Sequence, residues 1–170
     1  VYIETADNSP INVSLEALTL AKKISKENNE QVIAVLIGEN LDEAAKKCFD
    51  YGADEVLYVE ENKNELEAIG NALIDVKEKY NPSVIFLGST LNGKDLANIV
   101  ASKIKVPAFV DVVAVKYEND KYLMTLPMYG GNILKEVTFE GEEKSPRREA
   151  FENVIGMIQN EGVNFIYLIL

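Results

Sequence analysis

Apolar residues along the chain alternate between short continuous runs and longer stretches with helical spacing. Four short runs have the length of buried strands, at residues 1–4, 32–37, 55–59 and 83–87. The amphipathic segments that follow them occupy residues 14–28, 41–51, 64–80 and 95–104. Strands that alternate with amphipathic helices are typical of βαβ units, so this pattern predicts an α/β domain with a parallel sheet and right-handed crossovers.

Capping residues give the expected ends of three of these helices. Ser14 is placed to cap the first helix, and Gly52 suits the C-terminal end of the second. Asn64 can cap the third helix, which Asn81-Pro82 should stop, because the residue before a proline avoids the helical conformation.

After Pro107 the alternation of strands and helices gives way to strand-like segments in succession. Residues 109–117, 121–128 and 133–139 read as three strands, with a hairpin turn at residues 118–120. A helix over residues 147–160 and a strand over residues 164–170 follow. This predicts antiparallel additions to the parallel sheet near the C-terminus. No linker or repeat is visible, so residues 1–170 are expected to form a single domain.

Composition narrows the classes of function. The net charge of −11 argues against nucleic acid or an anionic membrane surface as a partner. No apolar run reaches the roughly 18 residues that span a bilayer, and no signal peptide is visible, so a cytoplasmic location is expected. Cys48 is the single cysteine, which excludes an intrachain disulfide. On an apolar helix face, it is expected to be a buried structural thiol.

The absence of histidine excludes a broad class of chemistry. The chain has no His, so it has no His-based acid–base pair, no catalytic triad and no His metal ligand. No nucleophile with a partner base can be proposed, and no metal site is expected. The chain is therefore not expected to be an enzyme.

The segment 88–94 is the first candidate for a binding site, because it links a buried strand to a helix. In a parallel sheet, ligands bind beyond the carboxyl ends of the strands, where helix N-termini offer free N–H groups. The segment is not a Walker A motif, since Gly93-Lys94 is followed by Asp95 and not by Ser or Thr. It is also interpretable as a structural turn or an interface with a partner subunit.

A second candidate lies at Met128-Tyr129-Gly130-Gly131-Asn132, where paired glycines indicate a bulge, a bend or a close backbone approach. Any small ligand is expected at the carboxyl edge of the sheet, against Glu4, Thr5, Ser89, Thr90, Asn92, Gly93, Lys94, Gly130, Gly131 and Asn132. Lys94 would meet an anion there. Its replacement by Ala should weaken nucleotide binding about tenfold or more, because a charge-assisted hydrogen bond contributes roughly 1.5–3 kcal/mol.

Several pieces, in this order and spacing, resemble the N-terminal domain of the electron transfer flavoprotein α subunit. The similarity covers roughly residues 1–151. Its most specific part is Gly93-Lys94-Asp95-Leu96-Ala97, and Tyr129-Gly130-Gly131-Asn132 is similar to the family's Tyr-Ala-Gly-Asn. Further pieces are Val13-Ser14-Leu15-Glu16-Ala17-Leu18, Gly52-Ala53-Asp54, Val100-Ala101, Asp111-Val112 and Ser145-Pro146-Arg147.

The resemblance implies a three-layer, Rossmann-like domain of the adenine-nucleotide-hydrolase-like (HUP) type. Two departures qualify it. Asn98 and Ile99 stand where the family has Pro-Arg, and the Ser-Gly-Gly-Arg-Gly signature of its FAD domain does not occur. The resemblance thus implies a scaffold that binds no cofactor alone, with FAD bound by a partner chain. It also implies that the chain assembles either with a flavoprotein partner subunit or as a homo-oligomer. The alternative that it leaves open is a stand-alone, stress-protein-like module that binds an adenine nucleotide such as AMP.

Overall fold

Four consecutive βα units build the first part of the molecule, as the apolar pattern predicts. The computed structural model describes residues 1–60 and 65–138, and the backbone of Phe165–Ile169. The elements in chain order are β1 (Tyr2–Ile3), β2 (Thr5–Ala6), β3 (Ser9–Pro10), α1 (Asn12–Asn28), β4 (Ile33–Ile37), α2 (Asp42–Asp50), β5 (Glu55–Val59), α3 (Leu66–Tyr80), β6 (Val84–Gly88) and α4 (Leu91–Ile104). Strands β2 and β3 form a small antiparallel hairpin between β1 and α1.

The second part adds strands in succession. They are β7 (Ala108–Val112), β8 (Ala114–Glu118), β9 (Lys121–Met128), β10 (Ile133–Thr138) and β11 (Phe165–Ile169). Strands β8, β9 and β10 form an antiparallel sheet. The predicted turn at residues 118–120 joins β8 to β9, with positive φ angles of 52° at Asn119 and 60° at Asp120. The antiparallel additions near the C-terminus are therefore confirmed.

The parallel strands run in two ladders. Strands β1, β4 and β5 pair in parallel in the order β1-β4-β5, and β6, β11 and β7 pair in parallel in the order β6-β11-β7. Strands β1 and β6 lie in contact, although the described residues form no ladder between them. The direction in which successive strands are added reverses here. Helices α1 and α2 connect β1 to β4 and β4 to β5 on one side of β1, whereas α3 leads back to β6 on its other side. This position is the topological switch point, where open α/β sheets bind ligands.

Alternating side chains of the strands divide the core into two layers. On one face, Ile3 and Leu36 are buried with residues of α1 and α2, and with Val112 and Met124 of the C-terminal strands. On the other face, buried residues of β1, β4 and β6 pack against α3 and α4: Tyr2, Val35, Ile37, Ile85 and Leu87. The three-layer α/β architecture is thus confirmed. Cys48 is fully buried, as predicted, and burial raises the pKa of its thiol to about 11.

Three boundaries differ from the prediction. Helix α4 begins at Leu91 and not at Asp95, so part of the expected loop is the first helical turn. Helix α1 begins at Asn12, and its N-cap is Ile11 and not Ser14. The expected strand over residues 109–117 divides at Val113 into β7 and β8, because β7 pairs in parallel with β11 whereas β8 pairs antiparallel with β9.

Other predictions fall on residues outside the described parts of the chain. They are the Asn64 cap and the helix over residues 147–160. The described part of the chain contains no helix that is long and apolar enough to cross a membrane.

Candidate functional site

The predicted ligand edge of the sheet is occupied by a set of polar side chains that bind one another. Glu4 follows β1 directly, and Ser89 and Thr90 follow β6, so the switch point brings them to the same edge. Asn92, Gly93 and Lys94 lie in the first turn of α4, which starts at this edge. The structure therefore brings together six of the residues predicted from the sequence.

Thr90 fixes the start of α4. Its Oγ1 accepts a hydrogen bond of 2.9 Å from the backbone N–H of Gly93, and its carbonyl oxygen accepts one of 3.0 Å from the N–H of Lys94. This is the usual arrangement of a threonine N-cap. Gly93 is buried against β6, where a Cβ atom would collide with the carbonyl oxygen of Gly88. Glycine is therefore required here for close approach of the helix to the strand.

The carboxylate of Glu4 binds this helix start from the other side of the switch point. Its Oε2 accepts a hydrogen bond of 2.6 Å from Thr90 Oγ1, and its Oε1 accepts one of 3.2 Å from Asn92 Nδ2. We call these three residues the Glu4 cluster. The backbone N–H of Glu4 donates to Ser14 Oγ at 3.1 Å, so buried Ser14 ties Glu4 to α1. Both carboxylate oxygens thus bind groups of the same chain.

A second polar group lies beside the Glu4 cluster. Lys94 forms an ion pair with Asp111 at the end of β7, and Ser89 Oγ donates a hydrogen bond of 3.0 Å to Asp111 Oδ1. The Lys94 ammonium beside Asp111 holds the pKa of that carboxyl below its usual value, with a smaller contribution from Ser89. Lys94, predicted to meet an anion, meets a carboxylate of its own chain.

The other predicted site residues lie in two hairpins. Thr5 pairs with Pro10 in the hairpin β2–β3. Gly130, Gly131 and Asn132 form the turn between β9 and β10, where Asn132 Nδ2 donates to the carbonyl of Tyr129 at 2.9 Å. A Cβ atom at either glycine would meet nothing within 4 Å, so the described structure places no neighbour against them. The structure does not join these four residues to the Glu4 cluster by a hydrogen bond.

Sequence reasoning did not assign two residues of this edge. Ser14 carries the pattern of a helix cap, and its burial becomes apparent only when α1 is packed on β6. Asp111 lies near the carboxyl end of β7, but the strand predicted from the sequence continues to residue 117, so no local signal places Asp111 at this edge.

The electrostatics of the edge disfavour a free phosphate. The N-terminus of a helix attracts an anion, but Glu4 already supplies a carboxylate at the start of α4. Lys94 is neutralised by Asp111. Among the described residues, no group of three or more His, Cys, Asp or Glu side chains is arranged to hold a metal ion. The described polar side chains at this edge therefore bind one another.

Comparison with known proteins finds similarity to subunits of electron transfer flavoproteins. A profile described as "Electron transfer flavoprotein domain" matches residues 1–142. The electron transfer flavoprotein subunit alpha of Thermoanaerobacterium thermosaccharolyticum is 31% identical over 152 residues, which are 86% of this chain and 45% of that protein. The subunit alpha of Bacillus subtilis is 31% identical over 137 residues, which are 79% of this chain and 42% of that protein.

A relative named for a different activity is also similar to this chain. The LctC subunit of the lactate dehydrogenase (NAD(+),ferredoxin) of Acetobacterium woodii is 28% identical over 144 residues, covering 82% of this chain and 34% of that protein. The chain thus spans less than half the length of these three relatives.

Proposed function

Since the chain belongs to the electron transfer flavoprotein domain family, in its α-subunit type, we propose that it is a structural or docking component for a flavin-bearing partner. It holds no FAD of its own and contributes no catalytic residue. Its role is to present a rigid surface against which the partner's flavin domain is positioned.

The observation that carries this proposal is that the polar side chains at the switch point form hydrogen bonds and an ion pair with one another. Glu4, Thr90 and Asn92 bind one another, and Lys94 binds Asp111. A nucleotide would have to break these bonds and would place its phosphate beside the Glu4 carboxylate. The network is therefore better suited to fixing the shape of this edge than to binding an anion.

Exposed apolar side chains next to this network support docking. Leu91 follows Thr90 directly and is 86% exposed, while Val110 and Val113 flank Asp111 and are 39% and 40% exposed. Exposed apolar residues bordered by polar groups mark a surface that a protein partner covers. We call Leu91, Val110 and Val113 the apolar rim.

The named relatives agree with such a role. They include an electron transfer subunit of acryloyl-CoA reductase from Anaerotignum propionicum, 25% identical over 146 residues. Like the LctC subunit, it is one subunit of a multi-subunit enzyme. We extend this association with a partner to the present chain.

Co-elution with a flavin-bearing electron transfer flavoprotein subunit tests the proposal. The purified chain alone should be colourless, and flavin absorbance should co-elute with it only when the partner is added. Leu91→Asp should weaken the complex at least tenfold, because a charge introduced into the apolar rim must be desolvated when the partner binds. Phe49→Asp is the matched control, since Phe49 is exposed at the C-terminal end of α2, away from the apolar rim.

Titration with AMP or ATP separates the docking role from its rival. No partner complex, together with nucleotide binding that Lys94→Ala abolishes, would overturn the proposal and favour an adenine-nucleotide-binding module. Stoichiometric flavin in the purified chain would overturn it too. A complex that Leu91→Asp leaves intact would place the docking surface elsewhere.

A further inference from the structure

The amino edge of the parallel sheet, opposite the Glu4 cluster, contains a cavity of about 340 Å³. Its two principal walls are the C-terminal halves of α1 and α3, which pack on opposite faces of the sheet. Its floor is formed where β1 and β6 begin. Because the described residues form no ladder between these two strands, the cavity reaches into the sheet along their junction.

Apolar side chains line most of the cavity. Ile24 of α1, Leu73 of α3 and Phe86 of β6 contribute, and all three are buried in the two core layers. A volume of this size falls at the lower end of the range for small-molecule sites, about 300–1,000 Å³. An apolar body of the size of a phenyl or short alkyl group fits such walls.

A polar cluster stands at the wall of the cavity formed by α1 and β6. Oε2 of Glu30 accepts hydrogen bonds from Ser83 Oγ at 2.6 Å, from Asn28 Nδ2 at 2.9 Å and from the Tyr122 hydroxyl at 3.2 Å. All four side chains line the cavity. These contacts hold the carboxylate of Glu30 in place, although the residue itself is exposed to solvent.

The second oxygen of this carboxylate is the recognition group. Within the described parts of the chain, Glu30 Oε1 accepts no hydrogen bond, and Glu30 has no ion pair. The C-terminal end of α1, which carries partial negative charge, lies at the same wall. Lys77 lines the α3 wall, so a cation is favoured on the Glu30 side only.

From this geometry we propose a second binding site, for a small amphipathic amine whose apolar body lies between α1 and α3 and whose ammonium group binds Glu30. The site is independent of the docking surface, because it lies at the opposite edge of the sheet. A bound molecule would bridge the two helices and both core layers.

Calorimetric titration with three probes of similar size tests the charge requirement. 2-Phenylethylamine should bind, 2-phenylethanol should bind at least tenfold more weakly, and 3-phenylpropanoate should bind more weakly still. Glu30→Gln should weaken binding of the amine at least tenfold, because a charge-assisted hydrogen bond is lost. Glu27→Gln is the matched control, since Glu27 is exposed on the last turn of α1, three residues before Glu30, and does not line the cavity.

A variant that narrows the cavity tests the position of the apolar body. Val76→Phe should abolish binding of the amine while the circular dichroism spectrum stays that of the parent. The absence of amine binding at millimolar concentration would overturn the proposal. Equal binding of amine and carboxylate, or an unchanged affinity in Glu30→Gln, would overturn it as well.

Discussion

At the scale of single residues, carboxylates act as structural anchors in this protein. Glu4 and Asp111 bind the groups around the start of α4, and Asp54 binds the start of β4. Asp54 Oδ1 pairs with Lys22 Nζ at 2.5 Å, and its Oδ2 accepts from the N–H of Val32 at 2.9 Å. These bonds hold the pKa of Asp54 below its usual value, with the Lys22 hydrogen bond as the largest cause.

A pH dependence of stability follows from Asp54. Since its folded pKa is lowered, its contribution is complete above the unfolded value of about 3.9 and is lost as pH falls through the folded pKa. We expect Asp54→Asn to lower the free energy of unfolding at pH 7 by less than about 1 kcal/mol, because the pair is one-third exposed. Urea unfolding should show this difference shrinking below about pH 4.

Asp75→Asn serves as the control for that titration. Asp75 is exposed on α3 and has no hydrogen bond or ion pair within the described residues, so its replacement should be close to neutral at both pH values. A difference between wild type and Asp54→Asn that is constant from pH 7 to pH 3 would contradict the linkage.

At the scale of elements, the approach of α4 to β6 is the tightest contact around the site. Gly93→Ala should reduce the free energy of unfolding by about 1–3 kcal/mol, because its Cβ collides with the backbone of Gly88 and α4 must shift. Urea unfolding measures the change. Asn98→Ala, at an exposed position of the same helix, should be neutral or slightly stabilising. Equal effects of the two substitutions would contradict this role for Gly93.

Local patterns explain why most elements could be predicted and why a few could not. Strand β5 and strand β9 have the predicted bounds, because apolar runs and turn residues delimit them on both sides. The start of α4 was not predicted, because a glycine such as Gly93 usually indicates a loop. Here glycine is needed within the helix, because a Cβ atom would collide with the backbone of Gly88. The place of β11 between β6 and β7 is a long-range pairing that no local pattern reveals.

In the candidate site too, some features follow from local sequence patterns and others depend on long-range contacts. The switch-point rule places Glu4 and Thr90 together from their positions after strands. That Glu4 binds Thr90, and Lys94 binds Asp111, depends on side-chain geometry that spacing does not contain. The use of these residues as ligand contacts stays a prediction.

At the scale of the whole molecule, Tyr122 joins the antiparallel sheet to the parallel one. It is buried on β9, and its hydroxyl lies 2.9 Å from Ser83 Oγ, directly before β6, and 2.8 Å from Asn28 Nδ2 at the end of α1. Burial raises the pKa of this hydroxyl to about 12, so it remains protonated at neutral pH. One side chain thus connects three elements that are distant in sequence.

Tyr122→Phe should lower the free energy of unfolding by about 0.5–1.5 kcal/mol, since the partly buried Ser83 and Asn28 lose a hydrogen-bond partner. The measurement is urea unfolding followed by circular dichroism. Tyr80→Phe is the control, because the Tyr80 hydroxyl donates to Glu55 at 3.2 Å on the exposed surface and should change stability by less than about 0.5 kcal/mol. A Tyr122→Phe variant as stable as the parent would show that the sheets are joined by apolar packing alone.

Strand β10 has a consequence for how copies of this protein behave in crowded solution. Among the described residues it pairs only with β9, which leaves its other edge as a possible template for fibrils. Antiparallel pairing of two copies about a two-fold axis places one residue opposite itself. The central registers oppose Lys135 to Lys135 or Glu136 to Glu136, and like charges directly opposite repel. A strand of a different protein is not related to β10 by a two-fold axis, so it can pair without opposing like charges. The edge of β10 therefore disfavours self-aggregation but can still pair with a strand of another protein.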